Sequence, residues 1–256
     1  MTSDGVKSIR AVERAADVLL CLAHHGGPVG ITELQNALAL SRPTLYRLLA
    51  ALERKALVRS FGDPQRFALD YGVGKIAGTW LGSNDVVVAA QPHLTALWQE
   101  TDETVALCLV ADVRSKICVQ ELRSRQALVF TRGTGFTEPL SKGSSGKAIL
   151  AFMAADEIER VLAAEPDTMT QAALGRDLER ICRDGYARST GEIISGACAM
   201  AAPVFDGSRR VCASVSVFGP AARLTGAHHE DCLRRLRKAA DRISAAIGYR
   251  AGAAAE

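Results

Sequence analysis

The stretch Ile31 to Arg47, ITELQNALALSRPTLYR, constrains the fold more than any other. Thr32 followed three residues later by Gln35 has the spacing of a capping box, in which side chains satisfy orphan backbone donors of a first helical turn. Ser41 can cap a second helix, and Pro43 in its first turn costs no hydrogen bond because the amides there have no intrahelical acceptor. The spacing predicts two short helices a few residues apart, a helix-turn-helix. In the second helix Leu45, Leu48, Leu49 and Leu52 make one apolar stripe, so Pro43, Arg47, Ala50 and Arg54 point the opposite way. Arg42, Thr44 and Tyr46 flank its first turns, where hydroxyl and guanidinium groups reach phosphates and base edges. An ordinary helical hairpin with a solvated basic face shares the stripe, and only this polar dressing favours a recognition helix.

Charge points the same way. Residues 1–75 carry 10 Lys and Arg against 7 Asp and Glu, while the remainder carries 21 against 21, so the whole formal +3 sits in the first segment. No apolar run approaches the roughly 18 residues of a membrane span. The charged start MTSDGVKSIRAVER has no apolar signal core, so the expectation is a cytoplasmic protein with no membrane partner. Seven cysteines are scattered without a CxxC pair, which indicates neither a disulfide framework nor a zinc knuckle. The adjacent pairs His24-His25 and His228-His229 cannot share one helical face as an i, i+4 pair can. No metal or cofactor is expected.

Along the chain, Ser8 to Ala23 reads as a first helix through Val12, Ala15, Ala16, Leu19 and Leu20, stopped by Gly26-Gly27-Pro28. Beyond the two helices, Leu57 to Phe61 and Arg66 to Leu69 are strand-like runs around Gly62-Asp63-Pro64-Gln65, a hairpin. Together these make a winged helix, with Arg59 and Arg66 putting positive charge on the wing. Glycines recur from Gly72 to Gly82, and helical periodicity resumes from Asp85 to Glu100. The expected division is therefore a DNA-binding domain over 1–71, a linker over 72–84 and a second domain over 85–256. In the latter, Thr104 to Ala111 and Ser115 to Leu122 read as strands, with a third near Ala127 to Thr131. Asp156 to Ala164, Gln171 to Asp184 and a C-terminal stripe of Leu233, Leu236, Ala240, Ile243 and Ile247 read as helices. Cys198 to Phe205 and Val211 to Phe218 are two more strands. This is an α+β domain with an antiparallel sheet.

Gly143-Ser144-Ser145-Gly146-Lys147 opens a helix. It fails the nucleotide-loop pattern, because Ser stands at 141 and Ala at 148, so it reads as a small-residue turn whose free amides suit a carboxylate.

The order of these features resembles the IclR family of bacterial transcriptional regulators, over nearly the whole chain. The matching pieces are SIRAVERAADVL, ITELQNALALSRPTLYRLLAALE, QPHLTALWQETDETVALCL, PLSKGSSGKAILAF, GYARSTGEIISGACAMAAPVFD and SVSVFGP. The resemblance implies a winged helix-turn-helix domain, a linker helix used in dimerisation and a GAF-like effector domain sensing a small organic acid. The sequence departs from the family pattern at Ala39 and Ala56, where glycine is usual, and at Ser189 and Thr190, where an acidic pair is usual. Cys198 is shifted one place from a common cysteine, leaving Ala199 there, and Phe218 replaces a serine found in some members.

The expected function is an effector-responsive regulator and not an enzyme, working as a homodimer or homotetramer on a palindromic double-stranded operator. Its DNA contacts are expected from Thr32, Ser41, Arg42, Pro43, Thr44, Tyr46, Arg47, Arg59 and Arg66. The effector, an organic acid with an apolar or aromatic body, is expected among Ser144, Ser145, Gly146, Ser189, Thr190, Glu192, Cys198, Ser216 and Phe218. The competing class is a metabolite-transforming enzyme that uses the winged helix for protein contacts. Its raw material would be His93, Cys108 and Glu192, but no nucleophile stands beside a base at readable spacing.

Overall fold

The structure is a computed structural model that describes residues 9–250, so Ser8, the expected start of the first helix, lies outside the described residues. The chain divides between Leu81 and Gly82 into two compact units.

In the first unit α1 (Arg10–His25) ends at Gly26 in the left-handed conformation, as a glycine stop predicts. The buried face of α1 carries Val18 and Leu22, with Ala15 and Leu19 partly buried. Val12, Ala16 and Leu20 of the expected stripe are exposed, so α1 is apolar on both sides. A two-residue strand, β1 (Val29–Gly30), leads into α2 (Ile31–Leu38). The cap of α2 differs from the expected Thr32–Gln35 box: it starts at Gly30, whose amide donates to Glu33 Oε2 at 2.9 Å. Ser41 does occupy the cap position of α3 (Arg42–Glu53), but its hydroxyl meets Thr44 Oγ1 at 2.9 Å instead of a backbone amide. Leu45, Leu49 and Leu52 enter the core with Leu34 and Phe67. The hairpin is β2 (Val58–Phe61) and β3 (Arg66–Leu69), and β1 pairs on the other side of β3.

Ala39 and Ala56 are held at φ 51° and 54°, the left-handed region that disfavours a Cβ by on the order of 1 kcal/mol. Ala39→Gly and Ala56→Gly are each expected to stabilise the protein by about 0.5–1 kcal/mol, partly offset by a freer unfolded chain. A rise in the urea midpoint at constant slope would show it, and a fall would show that the turns carry no strain. The last helix of this unit, α4 (Tyr71–Gly82), begins where Gly72 N donates to Ala56 O at 2.8 Å; a Cβ on Gly72 would stand 2.5 Å from that oxygen. The glycine-rich linker stretch is thus helical.

The second unit begins with α5 (Asp85–Thr101), capped by Asn84, followed by β4 (Thr104–Val110) and β5 (Ser115–Leu122). No strand forms at Ala127 to Thr131. The third strand is instead β6 (Thr137–Pro139), because the backbone of the 130s loop is taken by Glu121 and by a turn at Gly133 and Gly135. Helices α6 (Gly143–Leu150), α7 (Ala155–Leu162) and α8 (Thr168–Asp184) follow. The chain closes with β7 (Ala187–Thr190), β8 (Ala197–Phe205), β9 (Val211–Pro220) and α9 (Gly226–Ala246). The six strands run antiparallel in the order β6-β5-β4-β9-β8-β7. Helices α5 and α9 pack together over the sheet, while α6, backed by α8, covers β7 to β9 and buries Ile149 and Leu150 against Ala201 and Ala187.

A buried ion pair ties the two middle strands at one end. Glu103, just before β4 and 1% exposed, accepts from Arg223 Nε at 2.5 Å and Nη2 at 2.6 Å just beyond β9. Gly219 leaves the space: a Cβ there would lie 2.4 Å from Glu103 Oε2.

Candidate functional site

The exposed face of α3 assembles several of the expected DNA-contacting groups, yet binds some of them to the protein itself. Arg42 is drawn back onto α2, donating from Nε to Gln35 at 2.8 Å and from Nη2 to Thr32 Oγ1 at 3.3 Å. Thr32 and Gln35 therefore hold the two helices together instead of capping one. Tyr46 leans edge-on against Phe67, 6.3 Å between ring centres, with its surface still exposed. On the wing, Arg59 lies over the Phe61 ring at 5.3 Å, and Arg66 donates to Pro28 O at 2.9 Å. Pro43 and Arg47 are exposed. Arg47 lines a groove between α1 and α3 together with Arg10, Arg14, Thr44 and Arg54. Arg10 and Arg14, one turn apart, were missed by the sequence analysis; the i, i+4 spacing was legible, but which way that face of α1 turns was not.

In the second unit a cavity of about 50 Å³ lies between α6 and the sheet. Of the expected effector residues, Ser144, Ser145, Ser189, Glu192, Ser216 and Phe218 line it, while Gly146, Thr190 and Cys198 do not. Gly146 is used for close packing, since a Cβ would sit 2.6 Å from Leu140 O. Thr190 is exposed on the edge strand β7. Cys198 is buried on the opposite face of β8 from the lining residues Ala197 and Ala199, as strand alternation requires.

The first two amides of α6 are already taken by side chains. Glu192 Oε1 accepts from Gly143 N at 3.1 Å, its Oε2 meets Lys147 Nζ at 3.1 Å, and Ser189 Oγ accepts from Ser144 N at 3.2 Å. The facing wall carries charges that the sequence analysis missed. Lys116 Nζ lies 2.6 Å from Glu138, their side chains 3% and 9% exposed, and Arg132 pairs with the same carboxylate. Glu121 Oε2 accepts from the amides of Arg132 and Gly133 at 2.9 and 3.1 Å, while its buried Oε1 accepts no hydrogen bond and has the Arg123 guanidinium 3.6 Å away. The cavity is thus ionic on one wall, while Ala106, Phe136, Ile194, Ala199 and Phe218 keep most of the rest apolar. The legible signal was Lys116 at strand period two with Cys118, a cation on the inward side of β5.

Cys108 and Glu192 share this cavity, but His93 does not; it faces Arg242 on α9, and burial followed by that guanidinium hold its imidazole below the usual value. Among the described residues, no group of three or more His, Cys, Asp or Glu side chains is placed to hold a metal ion, and no helix is long and apolar enough to cross a membrane.

Two family descriptions account for most of the chain: the IclR helix-turn-helix domain matches residues 11–60, and the bacterial transcriptional regulator IclR C-terminal domain matches residues 78–245. The chain belongs to the IclR family. Among its IclR-type relatives, the HTH-type transcriptional regulator Rv1719 of Mycobacterium tuberculosis is 33% identical, covering 87% of this chain and 86% of that protein. The transcriptional repressor IclR of Escherichia coli is 23% identical over 96% of this chain and 93% of its own length. Two solved IclR structures have the same fold. One, from Alicyclobacillus acidocaldarius, has a TM-score of 0.83 at 25% identity, and the other, from Thermotoga maritima, 0.74 at 26%; each covers 94% of this chain and 100% of its own. As an IclR-type protein, this is a transcriptional regulator that binds DNA through its helix-turn-helix.

Proposed function

We propose that this regulator reads a palindromic operator as a cytoplasmic homodimer and responds to a small organic acid bound in the cavity of its second unit. The observation that carries the DNA reading is the cluster of Arg10, Arg14, Arg47 and Arg54 along one groove of the helix-turn-helix. Arg47 is the base-reading group, aided by Thr44, Tyr46, Ser41 and Pro43 at the helix start. Arg59 and Arg66 on the wing join Arg10 and Arg14 as phosphate contacts. Arg42, with Thr32, positions α3 and reaches phosphate only with its remaining donors. Arg47→Ala should weaken specific binding about 5- to 150-fold, about 1–3 kcal/mol, if the contact is bidentate to a base. Arg59→Ala should weaken binding to all sequences and flatten the salt dependence. Operator affinity unchanged by Arg47→Ala, in a folded protein, would remove α3 from the recognition role.

Two copies are needed because one winged helix covers only a half-site. The exposed apolar residues Val12 and Leu20 of α1 and Ile9 just before it, with Ile76 and Trp80 of α4, offer the surface. A monomer by light scattering, both free and on DNA, would end this part of the proposal.

The effector reading rests on the α6 N-terminus opening into a cavity whose far wall holds Lys116 and Arg132. An acid takes the amides near Ser145, and a hydroxyl or ammonium on its body satisfies Glu121 Oε1. The small volume favours a short molecule; an aromatic body requires the walls to part. Titrating short hydroxy, keto and aromatic acids against wild type and Ser145→Asp tests this. The introduced charge should abolish the response and leave operator binding intact, and an undiminished response would place the ligand elsewhere. Neither histidine pair nor His93 lines the cavity beside Cys108.

A further inference from the structure

Cys108 on β4 and Cys118 on β5 stand directly opposite each other across an antiparallel pair, and both line the cavity. An irregularity creates this opposition. The register shifts between Leu107, opposite Gln120, and Cys108, so that Cys118 instead of Val119 faces Cys108. Directly opposed Cβ atoms lie about 4.5–5.5 Å apart, and a disulfide asks for roughly 3.5–4.5 Å, so a slight approach of the strands suffices. Both thiols are free.

Their surroundings make the two sulfurs unequal. A hydrogen bond from the Cys118 thiol lowers the Cys108 pKa; burial opposes this, while the Lys116 ammonium and the Ser145 hydroxyl reinforce it, and Glu138 works the other way. Ser145 lies in the first turn of α6, so Cys108 also faces a helix N-terminus. Cys118 is held protonated, first by that same hydrogen bond and then by burial; its thiol also lies 3.5 Å from the Gln120 carbonyl. Desolvation pushes up the thiols of Cys21 and Cys182, raises Cys212 to about 11 and takes Cys232 to about 12, so none of these is an activated nucleophile.

We infer that Cys108 and Cys118 form a hydroperoxide-reactive dithiol, an oxidation site inside the cavity that stands independently of any effector. The Cys108 thiolate attacks one peroxide oxygen: an S–O bond forms, the O–O bond breaks, and hydroxide leaves to be protonated by the proton Cys108 has shed. Cys118 then attacks the sulfenic sulfur, forming the S–S bond and breaking S–O, and its own proton leaves with the oxygen as water. Two thiols are oxidised by two electrons in all, and one hydrogen peroxide becomes two waters. A dithiol reductant returns both thiols by thiol–disulfide exchange and is itself oxidised to a disulfide. The cavity admits a molecule the size of hydrogen peroxide, which is little larger than water.

The test treats the full-length reduced protein with equimolar hydrogen peroxide, then unfolds it in an alkylating agent and maps the thiols by mass spectrometry. The expected result is that two of the seven cysteines escape alkylation, joined in one Cys108–Cys118 peptide, and that dithiothreitol restores both. In Cys118→Ser, a dimedone adduct should appear on Cys108; in Cys108→Ser, Cys118 should stay alkylatable. Full alkylation of both thiols after peroxide, or oxidation that begins at Cys21 or Cys182, would overturn the inference. Because the readout is thiol chemistry in the absence of any acid, its failure leaves the effector reading untouched, and failure of the effector titration leaves this one untouched.

Discussion

Glu138→Ala should destabilise the second unit by about 3–5 kcal/mol, because it strands the Lys116 ammonium in a wall where that side chain is 3% exposed. Arg132 loses the same carboxylate, so the variant places two cations beside one cavity without their anion. The cost comes from the unpaired charge and not from the worth of the pair, since desolvation consumes most of the attraction between buried ions. The double variant Lys116→Met with Glu138→Leu should therefore recover most of the loss. Urea unfolding of the three proteins decides it. A single variant within about 0.5 kcal/mol of wild type would mean that water or Glu121 compensates Lys116. The same pair bears on function, because an acid entering the cavity meets two cations that share the single Glu138 carboxylate and must compete with it.

Arg223→Ala is expected to cost about 3 kcal/mol or more, for a related reason at the other end of the sheet. Glu103 would keep only His228, whose Nε2 lies 3.4 Å from Oε1, in place of a two-pronged guanidinium. Arg223→Lys should restore only part of the loss, since an ammonium cannot reproduce two parallel bonds to one carboxylate. Because Glu103 precedes β4 and Arg223 follows β9, the damage should appear as early amide exchange at the central strand pair; exchange unchanged there, with an unmoved urea midpoint, would refute the role given to this clamp.

How far the chain could be read before its structure depended on whether each feature is local. Leu45, Leu49 and Leu52 announce α3 because a helix repeats its buried face every three or four residues, and Gly26 announces the end of α1 for an equally local reason. The Gly30 cap left no trace, as glycine has no side chain to signal with and Thr32 offered a better-looking alternative. In the cavity, Ser144, Ser145 and Glu192 were legible from a turn and a familiar motif order. The pairing of Lys116 with Glu138 was not, because it depends on the register of a three-residue strand, which carries too few side chains to show a period. Cys198 shows the sharpest limit: alternation makes one residue the difference between facing a ligand and facing the opposite side, and only the placement of Ala197 and Ala199 toward α6 settles it.

Helix α4 has twelve residues, four of them glycine, and contributes no buried side chain. Each interior glycine costs a helix roughly 1 kcal/mol relative to alanine, and a free helix of this length is marginal even with a favourable composition. Its first turn is riveted through Gly72 against Ala56, and the remainder, built on three further glycines with Ile76 exposed, has little intrinsic preference for the helix it adopts. Signals crossing from one unit to the other along the chain must traverse this segment. Winding or unwinding of this helix would therefore change the length of the covalent path between the two units, from about 1.5 Å per residue when helical to more than twice that when extended.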